Sequence, residues 1–167
     1  MRKLVIILVI LPFVLKAQEP QLNATTYDFW LGQWQVSWTN ADGSKGSGTN
    51  HIFKVLDDKV LEENFVITNG GQAGFKGKSL SVYNSQNNTW HQAWADNQGG
   101  YFDFYGSVVG DKKMFSTHPS EKDGKVIQQR MVFYDISDDQ FTWDWESTSD
   151  GGKTWNLQWR INYTRLK

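Results

Sequence analysis

From Gln33 to the C-terminus the sequence is cut by turn signals at short, regular intervals, and this rhythm limits the possible folds more than any other feature. The signals fall at 40–43, 57–59, 69–71, 84–88, 97–100, 110–111, 123–124, 137–139 and 150–152. They are built from Asn, Asp and Gly, which supply the positive φ that tight hairpins demand. Nine turns leave ten segments, most of 6 to 14 residues. Several alternate apolar and polar residues with a period of two. Trp155, Leu157, Trp159, Ile161 and Tyr163 fall on one face of the last segment, and Arg160 falls on the other. Phe141, Trp143 and Trp145 alternate with Thr142, Asp144 and Glu146, and Trp90 and Trp94 flank Gln92. No segment after residue 32 keeps a helical period. Sequential strands without a long crossover predict an up-and-down antiparallel β-barrel of about ten strands, because closure removes exposed edges. Ahead of it, residues 25–32 predict one or two helical turns, with Thr25 or Thr26 as N-cap and Gly32 as the stop.

Residues 1–17 read as an address rather than as structure. Arg2 and Lys3 precede an apolar run from Leu4 to Leu15, and Ala17 offers a small residue at a cleavage site. This predicts a secretory signal peptide, too short to stay as a membrane anchor. A linker at 18–24 and one barrel domain at 25–167 follow. Removal of 1–17 takes away three cations and no acid, leaving 150 residues with net charge −4. A mildly acidic chain gives no electrostatic reason to bind nucleic acid or an anionic membrane. The expected destination is the periplasm or the extracellular space, as a monomer or weak homodimer. The absence of cysteine excludes disulfides, thiolate metal sites and a Cys nucleophile.

The tripeptide Gly32-Gln33-Trp34, at the start of the first strand and behind a short helical turn, resembles the G-x-W of lipocalins and wider calycin barrels. That resemblance implies that Trp34 plugs the closed end beneath an Arg from late in the chain, Arg160 or Arg165, with Arg160 assigned to closure. Stacking a guanidinium on an indole is favourable in its own right. The segments DFWLGQW, LEENF (61–65), GFKGKSLSVYN (74–84), TWHQAWADNQGGYFDF (89–104) and STSDGGKTW (147–155) are similar to a family of exported bacterial proteins of unknown function. A calycin-like barrel is what this second resemblance implies. It brings no activity or ligand with it.

Thr148 to Trp155 matches the Asp-box pattern seen in sialidases and related propellers, where it ties a hairpin turn. One copy predicts a structural turn here. His51, His91 and His118 lack the spacing of a metal site, and the last two strands carry no His for a haem, so neither a metal nor another cofactor is expected. No nucleophile elbow is present and no catalytic residue is assigned. Of the adjacent pair Glu62 and Glu63, strand alternation sends one inward, and Arg130 is the expected partner of an inward acid.

The chain carries nine Trp. Most are needed to fill a small barrel and its mouth, and the rest suit a cavity lined by aromatics with a few polar groups. The expected function is binding of a small, largely apolar or amphipathic molecule. The candidate pocket is Asn64, Gln92, Trp94, Arg130, Trp143 and Trp145, with Glu62 as a charge partner. The alternatives are an extracellular glycan-binding module that uses exposed Trp and Tyr, and a small barrel enzyme. All of these assignments rest on register, since a slip of one residue reverses each face.

Overall fold

The computed structural model describes residues 21–167. The signal peptide expected at 1–17 and the start of the linker lie outside the described residues. Eleven strands follow one short 3-10 turn at Asp28–Trp30: β1 (Gly32–Thr39), β2 (Lys45–Val55), β3 (Val60–Asn69), β4 (Lys76–Asn84), β5 (Thr89–Asp96), β6 (Tyr101–Val109), β7 (Lys112–Thr117), β8 (Ser120–Lys122), β9 (Lys125–Tyr134), β10 (Gln140–Thr148) and β11 (Asn156–Arg165). Each pairs antiparallel with its neighbour in sequence, except that β7 pairs with β9 and the short β8 lies outside on β9. Pairing of β1 with β11 and of β9 with β10 closes the ring. The result is a closed up-and-down barrel of ten strands, calycin-like in form. All nine turn signals fall between strands. The one surplus strand arises because the seventh segment breaks at His118-Pro119, where proline cannot donate to a ladder.

The strands alternate cleanly. On β1, Trp34, Val36 and Trp38 are buried and their neighbours are exposed, and on β3 Leu61, Glu63, Phe65 and Ile67 face inward. Two register shifts interrupt the pattern, one in β3 opposite Ser47/Gly48 and one in β11 opposite Trp145/Glu146. The second corrects the expected single face of the last strand. Gln158 is the extra residue of a bulge, so Trp159, Ile161 and Tyr163 point inward while Leu157 is exposed. Trp155 lies outside, beneath the Arg130 guanidinium at 3.8 Å from the ring centroid.

The segment before β1 plugs one end of the barrel. Tyr27 stacks on Phe115 at 4.3 Å and meets Trp90 edge-on at 5.2 Å. Its hydroxyl donates to the Met114 carbonyl at 2.6 Å. The Trp90 indole donates to the Asn23 carbonyl, and that of Trp34 to the Trp30 carbonyl, each at 2.8 Å. The N-cap differs from expectation. Tyr27 precedes the 3-10 turn and no side chain caps it; just upstream, Asn23 Oδ1 accepts from the Thr25 backbone N–H and Thr26 Oγ1 accepts from that of Asn23, each at 2.9 Å. Gly32 ends it at φ +125, as its position predicts.

Closure of this end also corrects an assignment. Arg165, not Arg160, covers Trp34, with its guanidinium 4.1 Å from the ring centroid. It donates to the carbonyls of Leu31 and Asp138 as well. Arg160 sits two turns of the pleat away on the polar face of β11, where it binds Asp144 through Nε and Nη2, both at 2.7 Å. Alternation alone dictates this, since Arg160 has the parity of Asn162 and Thr164.

Candidate functional site

Among the described residues, none plugs the other end of the barrel. It holds a cavity of about 200 Å³ whose wall includes Phe65, Phe75, Trp94, Phe102, Trp143, Trp145 and Trp159. Glu63 and Tyr163 bring polar atoms to its lining, and Asp96 reaches it from the end of β5. The aromatics brace one another. Trp143 and Trp145 lie parallel at 6.3 Å, with Trp159 edge-on to Trp143 at 5.8 Å. Phe75 stacks on Trp94 at 6.5 Å. Two glycines make the room. A Cβ on Gly77 would land in the Trp94 indole, and one on Gly46 in the Trp38 indole, so each ring lies flat across a bare stretch of the neighbouring strand.

Glu63 is the one buried carboxylate of this interior among the described residues. Its oxygens accept from Asn50 Nδ2 at 2.7 Å and from Ser79 Oγ at 2.6 Å. Burial pushes its pKa up to about 7, and the Ser79 and Asn50 hydrogen bonds act against that shift without cancelling it. Asn50 Nδ2 also donates to the Tyr163 hydroxyl at 3.2 Å. Burial, with the Glu63 charge as a second cause, drives the Tyr163 pKa far above the ordinary phenol value. Nearby, Gln92 donates to Ser81 Oγ at 2.9 Å inside the barrel. Two acceptors here have no partner: Asn50 Oδ1 and Gln92 Oε1. A buried polar atom left unpaired costs about 1–3 kcal/mol, so these positions are conspicuous.

The structure divides the candidate residues by face. Trp94, Trp143 and Trp145 line the cavity, and Gln92 is inside the wall and fully buried. Glu62, Asn64 and Arg130 lie on the outer surface, which corrects all three. Glu62 accepts from Lys78 at 2.6 Å and from Asn64 at 3.1 Å. Those two contacts, the Lys78 bond foremost, hold its carboxyl below the usual range. Arg130 pairs with Glu146 at 2.6 Å and caps Trp155, so it meets no inward acid. The physical reason is common to the three: the bulkier apolar parity of each strand turns inward. Leu61, Phe65 and Ile67 carry Glu63 with them on β3, and Met131 and Phe133 leave Arg130 outside on β9. Glu63 therefore takes the inward place that was assigned to Glu62.

Other motifs resolve as structural. In the Asp-box turn, Asp150 accepts from the Thr154 hydroxyl at 2.6 Å and from its backbone N–H at 3.0 Å. The Thr154 bonds hold the Asp150 carboxyl well below the usual range. His51, His91 and His118 are all exposed on the outer surface. None of the nine Trp is exposed, and the exposed large apolar side chains are aliphatic apart from Tyr101. No outer aromatic platform exists among the described residues. Compared with known proteins, the sequence matches no family model and no curated protein. The fold and the cavity thus define a closed calycin-like barrel with one plugged end and one aromatic-lined pocket.

Proposed function

We propose that the protein binds a small, largely apolar molecule in the pocket at the unplugged end of its barrel. The observation that carries this reading is the unequal treatment of the two ends. One end is sealed by Tyr27, Trp30, Trp34 and Arg165, with Trp34 fully buried. The other leaves about 200 Å³ between aromatic walls that are only half buried. An apolar cavity of about 150 Å³ already takes a benzene-sized guest, so this volume suits a ring-sized body with a short arm. The low count of polar groups on the walls matches the usual chemistry of a small-molecule site. A glycan platform would need Trp or Tyr displayed outside, and the nine Trp are spent on the interior, the rim and the Arg130 stack. We place this binding outside the cytoplasm, after removal of 1–17, in a protein that acts as a monomer or weak dimer without a cofactor.

The test combines native mass spectrometry of protein purified from its own host with tryptophan fluorescence titrations against small aromatic and aliphatic molecules. The expected result is saturable quenching that Trp145→Ala weakens about tenfold or more, since it removes one wall of the pocket. A clean apo mass together with no quenching by any probe overturns the reading. Retention on a glycan array with that outcome would favour the outer surface instead.

A further inference from the structure

The chemistry around Glu63 says which kind of molecule the pocket suits. Resting on the pocket reading above, we propose that the guest carries a protonated amine or an equivalent cationic donor, seated against Glu63, with its apolar body held between the indoles. The carboxylate accepts one hydrogen bond on each oxygen, from Asn50 and Ser79. It has about four lone-pair positions, so it can take more donors than it has. Asn50 Oδ1, on the residue that bonds it, and Gln92 Oε1 are buried acceptors without a donor. On this side of the interior the unpartnered buried atoms are acceptors, whereas the unpartnered donor, Trp30 Nε1, belongs to the plugged end.

Nothing inside the pocket competes for the charge. Among the described residues no Lys or Arg lines it. Three cations of the surrounding strands are paired on the outer surface: Lys78 with Glu62, Arg130 with Glu146 and Arg160 with Asp144. Asp96 adds a second carboxylate to the lining. Backbone hydrogen bonds from Gly100 and Gln98 favour its charged form, with the Gly100 bond the larger cause of its lowered pKa. The walls act in the same direction, since a cation within about 6 Å of an indole face is attracted by the ring quadrupole. An anionic guest would meet two carboxylates and no counter-charge.

The titratable groups that bear on Glu63 are few. β11 presents Tyr163, which burial keeps neutral, and Asp96 lies on the same lining. The remaining polar groups in contact, Asn50 from β2 and Ser79 from β4, do not ionise. Near neutral pH the empty pocket holds Glu63 part-protonated, and an arriving ammonium favours its charged form. Binding then releases a proton and strengthens as pH rises from 5 to 8.

The test uses three probes of one shape: phenethylamine, 2-phenylethanol and phenylacetate. Each is titrated by tryptophan fluorescence at pH 8 against wild type and Glu63→Gln. Wild type is expected to bind the amine about tenfold or more tighter than the alcohol, the factor that ~1.4 kcal/mol supplies. Phenylacetate should bind more weakly still. Glu63→Gln should remove the preference for the amine over the alcohol. Equal binding of all three by wild type overturns the cation assignment and leaves the pocket reading standing. A preference that survives Glu63→Gln, or wild-type amine binding that does not change between pH 5 and pH 8, also overturns it. Failure of all three probes to bind overturns the cation assignment, and with a clean apo mass and no quenching by any other probe it overturns the pocket reading too. Circular dichroism checks that the variant is folded, and the wild-type probe series and pH series decide the matter if it is not.

Discussion

Replacing Glu63 with Gln should change the stability of the protein in a pH-dependent way. An ordinary Glu carboxyl titrates at 4.5, and in the folded barrel burial moves that of Glu63 to about 7. Between these values the native protein keeps a proton that the unfolded chain has lost. Stability therefore falls as pH rises through this window, and the loss is complete above the folded value. At about 1.4 kcal/mol for each pH unit between the two values, Glu63 costs about 3 kcal/mol at pH 8 and almost nothing near pH 4. Gln has no charge to bury. Its amide oxygen can accept from Asn50 or Ser79, and its amide nitrogen can donate to Asn50 Oδ1, which has no partner in the wild type. The two proteins should match within about 1 kcal/mol near pH 4. At pH 8 the variant should be more stable by about 3 kcal/mol, or about 6–12 °C in melting temperature for a domain of this size. The surface carboxylates with lowered pKa, Asp42, Glu62, Asp96 and Asp150, give the opposite slope at lower pH. They are common to both proteins and cancel in the difference. Urea titrations at half-unit pH steps measure that difference directly. A constant offset from pH 4 to pH 8 would refute the reasoning, because it would mean that the Glu63 carboxyl is as well solvated folded as unfolded.

Four further substitutions test the packing. Arg165→Ala should cost about 2 kcal/mol by removing the indole stack and the bonds to the Leu31 and Asp138 carbonyls, and it should alter the near-UV signal of Trp34. Arg160→Ala should cost about 1–2 kcal/mol, because it strips the buried Asp144 of its partner, discounted for the half-exposed Arg160; it should leave the Trp34 signal unchanged. Gly77→Ala drives a Cβ into the Trp94 indole, so it should cost about 1–3 kcal/mol in a denaturant titration and displace the ring, weakening whatever the pocket binds. Tyr27→Phe should lower stability by about 1 kcal/mol in a thermal melt, since it deletes the hydroxyl that bonds the Met114 carbonyl and changes little else.

The barrel was legible because its turns were written in residues with a backbone reason to be there. Asp57, Asn88, Asp123, Gly43, Gly99, Gly110 and Gly151 all take positive φ at hairpins, so the chain could be cut into strands before any pairing was known. The face of each strand was harder to read. Both parities of β3 contain apolar residues, Val60 and Val66 on one and Leu61, Phe65 and Ile67 on the other. Side-chain volume decides between them, because a ten-stranded ring needs bulk inside and tolerates Val outside. On β3 the rule names Glu63. On β9 volume decides less cleanly, because Tyr134 shares the outer parity of Val132 and Arg130 while Met131 and Phe133 turn inward. The parity of Arg160 was already plain from its neighbours Asn162 and Thr164. The bulges at Thr68 and Gln158 are beyond reach, since an extra residue in one strand is visible only against its partner.

The contrast between the two surfaces of the wall bears on why Glu63 is there at all. Outside, acids and bases alternate across neighbouring strands and neutralise one another in pairs. Four such pairs form among the described residues, Lys54–Asp28, Lys78–Glu62, Arg130–Glu146 and Arg160–Asp144, and each contributes little. Inside, the carboxylate is answered only by neutral donors, and it lowers stability at neutral pH by an amount comparable to a large core defect. Packing does not require it. Its neighbours Asn50, Ser79 and Ser81 are polar and small, and an apolar side chain with Val or Thr beside it would fill the same layer without the penalty. Glu63 instead lies on the lining of the cavity, where the proposed cationic guest would answer its charge. On that proposal the stability cost that Glu63→Gln removes from the empty protein should shrink when the amine probe is bound.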